Sequence, residues 1–395
     1  MKQNRKRIGK TLRWAVAVLA LTSLLLGGCG RQSQPTLQEH TQTAASPTEQ
    51  ITSPPETAPT DAPTQPTTAT PTTEAPTEPT TAAKTVLKTN GSDIDLSALE
   101  HRTEDENAPV VYFTKAIDSG ALVNLYIMLM NELPGKVAVK LTTGESQLTN
   151  YLKPELIGDL VRAVDGTIVE CMTAYGGVRS TAALSKQAAK DRGYTAIADF
   201  DLLDEDGSLE IPFSGGVRIN RAIVGSHLQN YDSVLVLSHF KGHLLAGFGG
   251  AIKNVGIGMS SQKGKIYVHS GGNRTIGTIV NTDQDAFLEA LAEAVKAVSD
   301  YMNNGKNMLY ISVMNRLSVD CDCMALPAAP DMHDIGVLAS ADPVALDQAC
   351  VDLVYAAPDG DSLIRRMESL HGVHVLEHGE KIGLGSRAYR LVCID

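Results

Sequence analysis

The chain has 395 residues and a formal net charge of −11, from 45 acidic against 34 Lys and Arg side chains. Without the six basic residues among its first thirteen, the balance falls from −11 to −17, a surface that excludes nucleic acid as a partner and electrostatic adhesion to anionic lipid. Six cysteines, with Cys29 set apart at the end of an apolar run, leave an odd remainder of five, which is not the count of a disulfide framework.

The N-terminus reads as an export leader. Lys2, Arg5, Lys6, Arg7, Lys10 and Arg13 precede an apolar run over 14–26, and Leu26-Gly27-Gly28-Cys29 follows. That run has the length of a signal-peptide core and is short for a membrane span. Residues 1–28 are expected to be a lipoprotein signal peptide and Cys29 the lipid anchor. The membrane is then a partner through that anchor, and the body is extracytoplasmic, tethered stably by two or more acyl chains. Residues 29–90, with repeats such as Thr57-Ala58-Pro59-Thr60, hold almost no large apolar side chains. They are expected to form a disordered Thr/Pro-rich stalk. Residues 91–395 are expected to form one α/β domain.

Within that domain the first expected strand is 136–141, followed by an amphipathic helix over 154–161 with Pro154 in its first turn. A strand over 167–171 leads to a helix over 180–192, with Ser180 as cap and Gly193 as stop. Residues 232–238 form an apolar strand, and a second short apolar run over 265–268 ends in His269. The longest helix starts at Asp283 or Gln284 and runs to Met302, with Phe287, Leu291, Val295 and Val298 on one face. Strands over 308–313 and 335–339, a helix over 342–356 capped by Asp342, a helix over 362–370 and a strand over 388–394 complete the body. This alternation predicts an α/β fold whose largely parallel sheet is flanked by helices. Ligands in such sheets sit beyond the carboxyl ends of the strands. Four exits carry chemistry: 142–145, 173–179, 239–253 and 269–272.

Residues 238–258 hold His239, His243, Lys241, Lys253 and six glycines. Glycine costs backbone entropy and packs nothing, so this density marks a backbone that a ligand approaches closely. Imidazole titrates near neutral pH, which makes His239 and His243, with Lys253, the candidate catalytic groups. Tyr175, Arg179, Lys241, Gly249, Gly250, Lys253 and His269 are the candidate ligand- or cofactor-binding residues. Lysines beside a glycine-rich helix start equally suit a small-molecule or anionic ligand held without turnover. Cys321 and Cys323, flanking Asp322, can reach one soft metal, and His269 is the imidazole assigned beside them. Thiolates point to zinc, copper(I) or iron–sulfur, and imidazole also accepts nickel. The same two cysteines could instead pair as an easily reduced disulfide with a redox role. Cys171, Cys350 and Cys393 read as core thiols. His374 and His378 have the spacing of a helical metal pair, although Gly372 and Gly379 argue for a loop there.

Several of these segments together resemble a known family. Gly144-Glu145, Tyr175-Gly176-Gly177-x-Arg179, Ser238-His239-Phe240-Lys241-Gly242-His243, the 247–254 run, His269-Ser270-Gly271, Cys321-Asp322-Cys323 and the 342–347 run look like domain of unknown function 362. Many of its relatives carry a ferredoxin-like cysteine segment, but no Cys-x2-Cys-x2-Cys-x3-Cys run occurs here. The order His243, Ala246 to Gly250, Lys253, His269 is also similar to nickel-pincer lactate racemases. That resemblance implies Lys253 as the pincer-holding lysine, His269 as a nickel ligand and His243 near the reacting carbon. The racemase pattern carries another histidine where Tyr175 and glycines stand, and an Arg-Pro pair where Lys153-Pro154 stands.

Overall fold

The computed structural model describes residues 86–279 and 283–395. The expected signal peptide, the anchor Cys29 and all but the last residues of the expected stalk lie outside the described residues. In chain order the elements are β1 (Val86–Lys88), β2 (Asp93–Asp95), β3 (Val110–Thr114), α1 (Ser119–Met128), β4 (Val137–Lys140), α2 (Pro154–Ala163), β5 (Gly166–Glu170) and α3 (Ala182–Asp191). Next come β6 (Phe200–Leu202), β7 (Ser208–Pro212), β8 (Arg221–Gly225), β9 (Ser233–His239), β10 (Lys241–His243), β11 (Gly247–Gly249), α4 (Ala251–Gly256) and α5 (Gln262–His269). The chain ends through α6 (Gln284–Tyr301), β12 (Met308–Met314), β13 (Gly336–Ser340), α7 (Pro343–Ala356), α8 (Asp361–Ser369), α9 (His374–Lys381) and β14 (Arg390–Cys393). β1 pairs with β2, so folded structure begins ahead of the expected boundary at 91.

Eight strands form one sheet in the order β14-β3-β13-β12-β9-β4-β5-β6. β13 is antiparallel to both neighbours, and the other pairings are parallel. The predicted largely parallel α/β sheet is therefore present. β9 is buried along its whole length because both its faces are covered. Val234 and Val236 pack with α4, α6 and α7, whereas Leu235 and Leu237 pack with α1 and α2. Burial on both faces makes such a strand read as a continuous apolar run.

The topology fixes where a ligand can sit. From β4 the chain steps outward through β5 to β6, while β9 lies on the other side of β4 and is followed by β12 beyond it. The strand order reverses between β4 and β9, and a crevice opens beyond their carboxyl ends at such a switch point.

Three expectations are corrected by the fold. Residues 265–268 belong to helix α5, capped by Ser261, whose side chain accepts from Gly264 N–H; a short buried apolar run has no period that separates helix from strand. His269 thus ends a helix rather than a strand. The α3 cap is Thr181, accepting from Leu184 N–H, and not Ser180. His374 and His378 lie on α9, where Gly379 is accommodated inside the helix. In addition, Cys393 is exposed, while Cys171 and Cys350 are buried as expected.

Candidate functional site

A cavity of about 370 Å³ opens at the switch point, at the small end of ligand-pocket sizes. Its walls come from Thr142 after β4, Glu170, Cys171 and Thr173 at and just after the end of β5, the end of β9, the β10–β11 hairpin, α4 and the end of α5. Tyr175, Arg179, His239, Lys241, His243, Gly249, Gly250, Lys253, His269 and Cys323 all line it, and Cys321 does not. Loops far apart in the sequence therefore meet in one chamber.

The glycine-rich run folds as a tight hairpin leading into α4. Lys241 pairs with Gly249 and His243 with Gly247, and Gly247 takes a φ of +80° that favours glycine. Gly250 has a specific reason to lack a side chain. A Cβ there would lie 2.4 Å from Asp347 Oδ1, and that carboxylate accepts from Ala251 N–H at 2.7 Å and Ile252 N–H at 2.9 Å. Asp347, on α7, thereby closes the first turn of α4. Burial pushes its carboxyl up to about 7 against those two N–H donors. Gly249, by contrast, has only ordinary neighbours at 3.6 Å or more, the side chains of Lys241 and Lys253.

Lys253 is the group the architecture leaves unanswered. Its side chain lines the cavity, and it has no hydrogen bond or ion pair among the described residues. Burial first, and then the positive charges of Lys241, Arg179, Lys140 and Lys265, pull its amine down to about 7. The other cations are matched. Lys241 Nζ sits 2.8 Å from Asp322 Oδ2, and Lys265 Nζ donates to the Ser260 carbonyl. Lys140, fully buried at the end of β4 and lowered by burial to about 8, donates to the Leu141 carbonyl at 2.6 Å and Asn254 Oδ1 at 2.9 Å. Asn254 Nδ2 in turn donates to the carbonyls of Lys140 and Leu237, tying β4 to β9 where the crevice opens.

Arg179 is spent on structure. Its Nε donates to Glu145 Oε2 at 3.0 Å, Nη1 to Glu170 Oε1 at 2.8 Å and Nη2 to the Tyr175 hydroxyl at 3.0 Å. Glu145 also accepts from Val178 N–H at 2.6 Å, and Thr143 Oγ1 donates to Glu170 at 2.5 Å. A buried arginine shared by two carboxylates fixes the 175–179 loop over the cavity instead of offering free charge to a ligand.

The three histidines differ sharply. His239 Nδ1 lies 2.9 Å from Asp322 Oδ2, and its Nε2 lies 2.7 Å from the Asn315 carbonyl. Two acceptors are satisfied together only by a ring with protons on both nitrogens. Burial favours a protonated Asp322, yet Lys241 and His239 outweigh burial and hold it well below the usual carboxylate range. His243 is the opposite case. Burial, then Lys253, His269 and Lys241, hold it well below 6.5, so its ring is neutral. Its Nδ1 accepts from Leu245 N–H at 3.2 Å and Ala246 N–H at 2.9 Å, which leaves the ring proton on Nε2. His269 stacks on Phe287, with centroids 4.4 Å apart and planes 10° apart.

Cys321 and Cys323 form a disulfide, so neither sulfur is a thiolate ligand in this state. The imidazole beside them is that of His243, whose Nε2 is 3.8 Å from Cys323 Sγ. His243, Cys321 and Cys323 have ligand atoms within 4.8 Å of one another, and so do His371, His374 and Glu377 at the surface. The expected His269–Cys321–Cys323 set does not assemble as a group of that kind. A metal in the first group requires both loss of the S–S bond and removal of the Nε2 proton of His243. In the second group, His371 meets Asp285 and His374 meets Glu289 and Glu377.

Lys140, Glu170 and Lys265 went unremarked in the sequence, although Lys140 and Glu170 carried a signal. Each is a charged residue closing an otherwise apolar strand, and a buried charge at a strand's carboxyl end marks a site. Lys265 opened a run read as a strand, so its place on α5 hid it.

The family model described as Domain of unknown function (DUF362) matches residues 137–352. No curated protein matches the chain. Among solved structures, the lactate racemase apoprotein from Thermoanaerobacterium thermosaccharolyticum is similar at 14% identity and a TM-score of 0.32, over 58% of this chain and 55% of that one. A Thermotoga maritima protein is similar at 10% identity and a TM-score of 0.33, over 66% of this chain and 58% of that one. The chain thus spans little more than half the length of either neighbour. The family match extends from β4 to α7 and takes in the hairpin, α4, α5 and the cysteine pair, and the protein belongs to the DUF362 family.

Proposed function

We propose that this protein is an isomerase-type enzyme that takes a small organic anion into the cavity and moves a proton on it, with Lys253 as the base. The observation that carries this reading is the unpaired Lys253 amine, lowered to about 7. A base poised near neutral pH combines the right protonation state with sufficient driving force. The positive surroundings that add to burial in lowering it would also draw in an anion and stabilise the negative charge that develops when a carbon beside a carboxylate or carbonyl loses its proton. In the proposed step the substrate C–H proton passes to Lys253 Nζ, and the resulting ammonium returns it to carbon. Arg179 holds the 175–179 loop, and Asp347 holds the start of α4, from which Lys253 projects. We further propose that the cavity-bearing body works outside the cytoplasm, tethered through Cys29, on the support of the basic leader and the Leu26 to Cys29 sequence.

Deuterium wash-in tests the chemistry. In D2O with the protein, short 2-hydroxy carboxylates should lose the NMR signal of the C2 proton and short 2-oxo carboxylates those of the C3 protons beside the carbonyl, and Lys253→Met should slow this by about 100-fold or more. Binding without wash-in would turn the reading to a non-catalytic anion receptor, and absence of binding would refute both. Nickel analysis and the absorption spectrum of protein from its native envelope separate a pincer-loaded centre, in which Lys253 anchors a cofactor. Stoichiometric nickel would overturn its role as base.

A further inference from the structure

The 321–323 segment carries chemistry that proton transfer does not use. It is pinned at its centre: the Asp322 carbonyl accepts from Glu145 N–H at 2.7 Å, and the Asp322 carboxylate is held by His239 at 2.9 Å and Lys241 at 2.8 Å. The two sulfurs on either side are unequally placed. Cys321 is 2% exposed, whereas Cys323 is half-buried and lines the cavity. A molecule entering the cavity therefore meets Cys323 first. There the proton on His243 Nε2, fixed by the two N–H groups at Nδ1, faces Cys323 Sγ across 3.8 Å. A neutral imidazole N–H aimed at sulfur stabilises a thiolate and leaves no lone pair on that nitrogen for a metal.

We propose that Cys321 and Cys323 are a reversible thiol–disulfide exchange site, with Cys323 the exchanging sulfur, Cys321 the resolving one, and a small carboxylate-bearing thiol the substrate. The thiolate of such a molecule attacks Cys323 Sγ, the Cys321–Cys323 bond breaks, and Cys321 leaves as a thiolate. A second substrate thiolate attacks the substrate sulfur of the mixed disulfide. This releases the small-molecule disulfide and a Cys323 thiolate facing His243 Nε2–H. Two substrate thiolates have then lost two electrons to the cysteine pair, which takes up two protons, and the reverse sequence reoxidises the pair. The carboxylate preference follows from the cationic cavity of the proposed function. The sulfur chemistry does not depend on Lys253 as a base and is read by separate measurements.

Full-chain protein in mercaptoacetate redox buffers, quenched by alkylation and mapped by peptide mass, tests the proposal. Cys321 and Cys323 should become alkylatable together while the circular dichroism of the fold persists. Dithiodiglycolate should leave a mixed disulfide on Cys323 in Cys321→Ser and none on Cys321 in Cys323→Ser, and cystamine should react several-fold more slowly. In the Cys321→Ser background, His243→Leu and His243→Phe, which carry no N–H donor, should raise the pH midpoint of Cys323 alkylation by about one unit. Using both variants guards against one failing to fold. A pair that stays oxidised in millimolar mercaptoacetate, equal adducts in the two serine variants, or an unmoved midpoint in both histidine variants would each overturn the proposal.

Discussion

Lys253 links the geometry of a single amine to a pH profile. In the free protein it titrates at about 7, and a bound anion favours its charged form. Binding above pH 7 must therefore take up a proton. Affinity should be nearly constant below pH 7 and fall as pH rises, being about tenfold weaker at pH 8 than at pH 6. The chemical step has the opposite sign, because it needs the free amine; since the bound anion raises the lysine's pKa, wash-in at saturating substrate should rise with pH only above the region in which affinity falls. Calorimetry of a bound carboxylate in two buffers of different ionisation enthalpy reads the proton uptake directly. Lys253→Met should abolish it and flatten the affinity profile; a persistent slope would assign the titration to another group. The residue type and its glycine context were visible in the sequence. Its lowered pKa was not, because that depends first on burial and then on Lys241, Arg179, Lys140 and Lys265 converging from four separate segments.

At the scale of elements, α4 is the piece that aims the chemistry, and it is only six residues long. A helix that short is not stable by propensity and depends on its surroundings. Asp347 supplies them, and Gly250 makes room for it. Asp347→Ala leaves the Ala251 and Ile252 N–H groups without their buried acceptor, and Gly250→Ala drives a methyl into the same carboxylate. Each should cost about 2–4 kcal/mol in urea unfolding. The double variant should cost clearly less than the sum, since removing the carboxylate removes the clash; strict additivity would contradict the contact. The part Asp347 plays was not legible from sequence, because its partner lies 96 positions away. Long, capped helices such as α6 and α7, and β9 with its apolar run over 234–237, were legible because length, caps or composition marked them. Helix α5 was not, since its short buried stretch carries no distinguishing period.

The whole molecule decides which loops meet. A reversal of strand order between β4 and β9 brings the 142–145, 173–179 and 239–253 exits to one crevice, an arrangement that alternating elements imply but do not locate. It also sets His243 beside Cys323, 80 positions apart; in the sequence, His269 was the imidazole assigned to that pair. Under the membrane tether proposed above, the hold on the bilayer must come from outside this body. No helix among the described residues is long and apolar enough to cross a bilayer, and the acidic balance opposes adhesion to anionic lipid. Retention should therefore depend on acylation of Cys29, because several acyl chains together give an anchor that peripheral contacts on this surface do not. In cells fed an alkynyl palmitate, the protein should carry label and lack residues 1–28. Cys29→Ala should lose the label and retain the leader as added mass. Label that persists in Cys29→Ala, or mature protein that never carries it, would leave the leader without the role assigned to it.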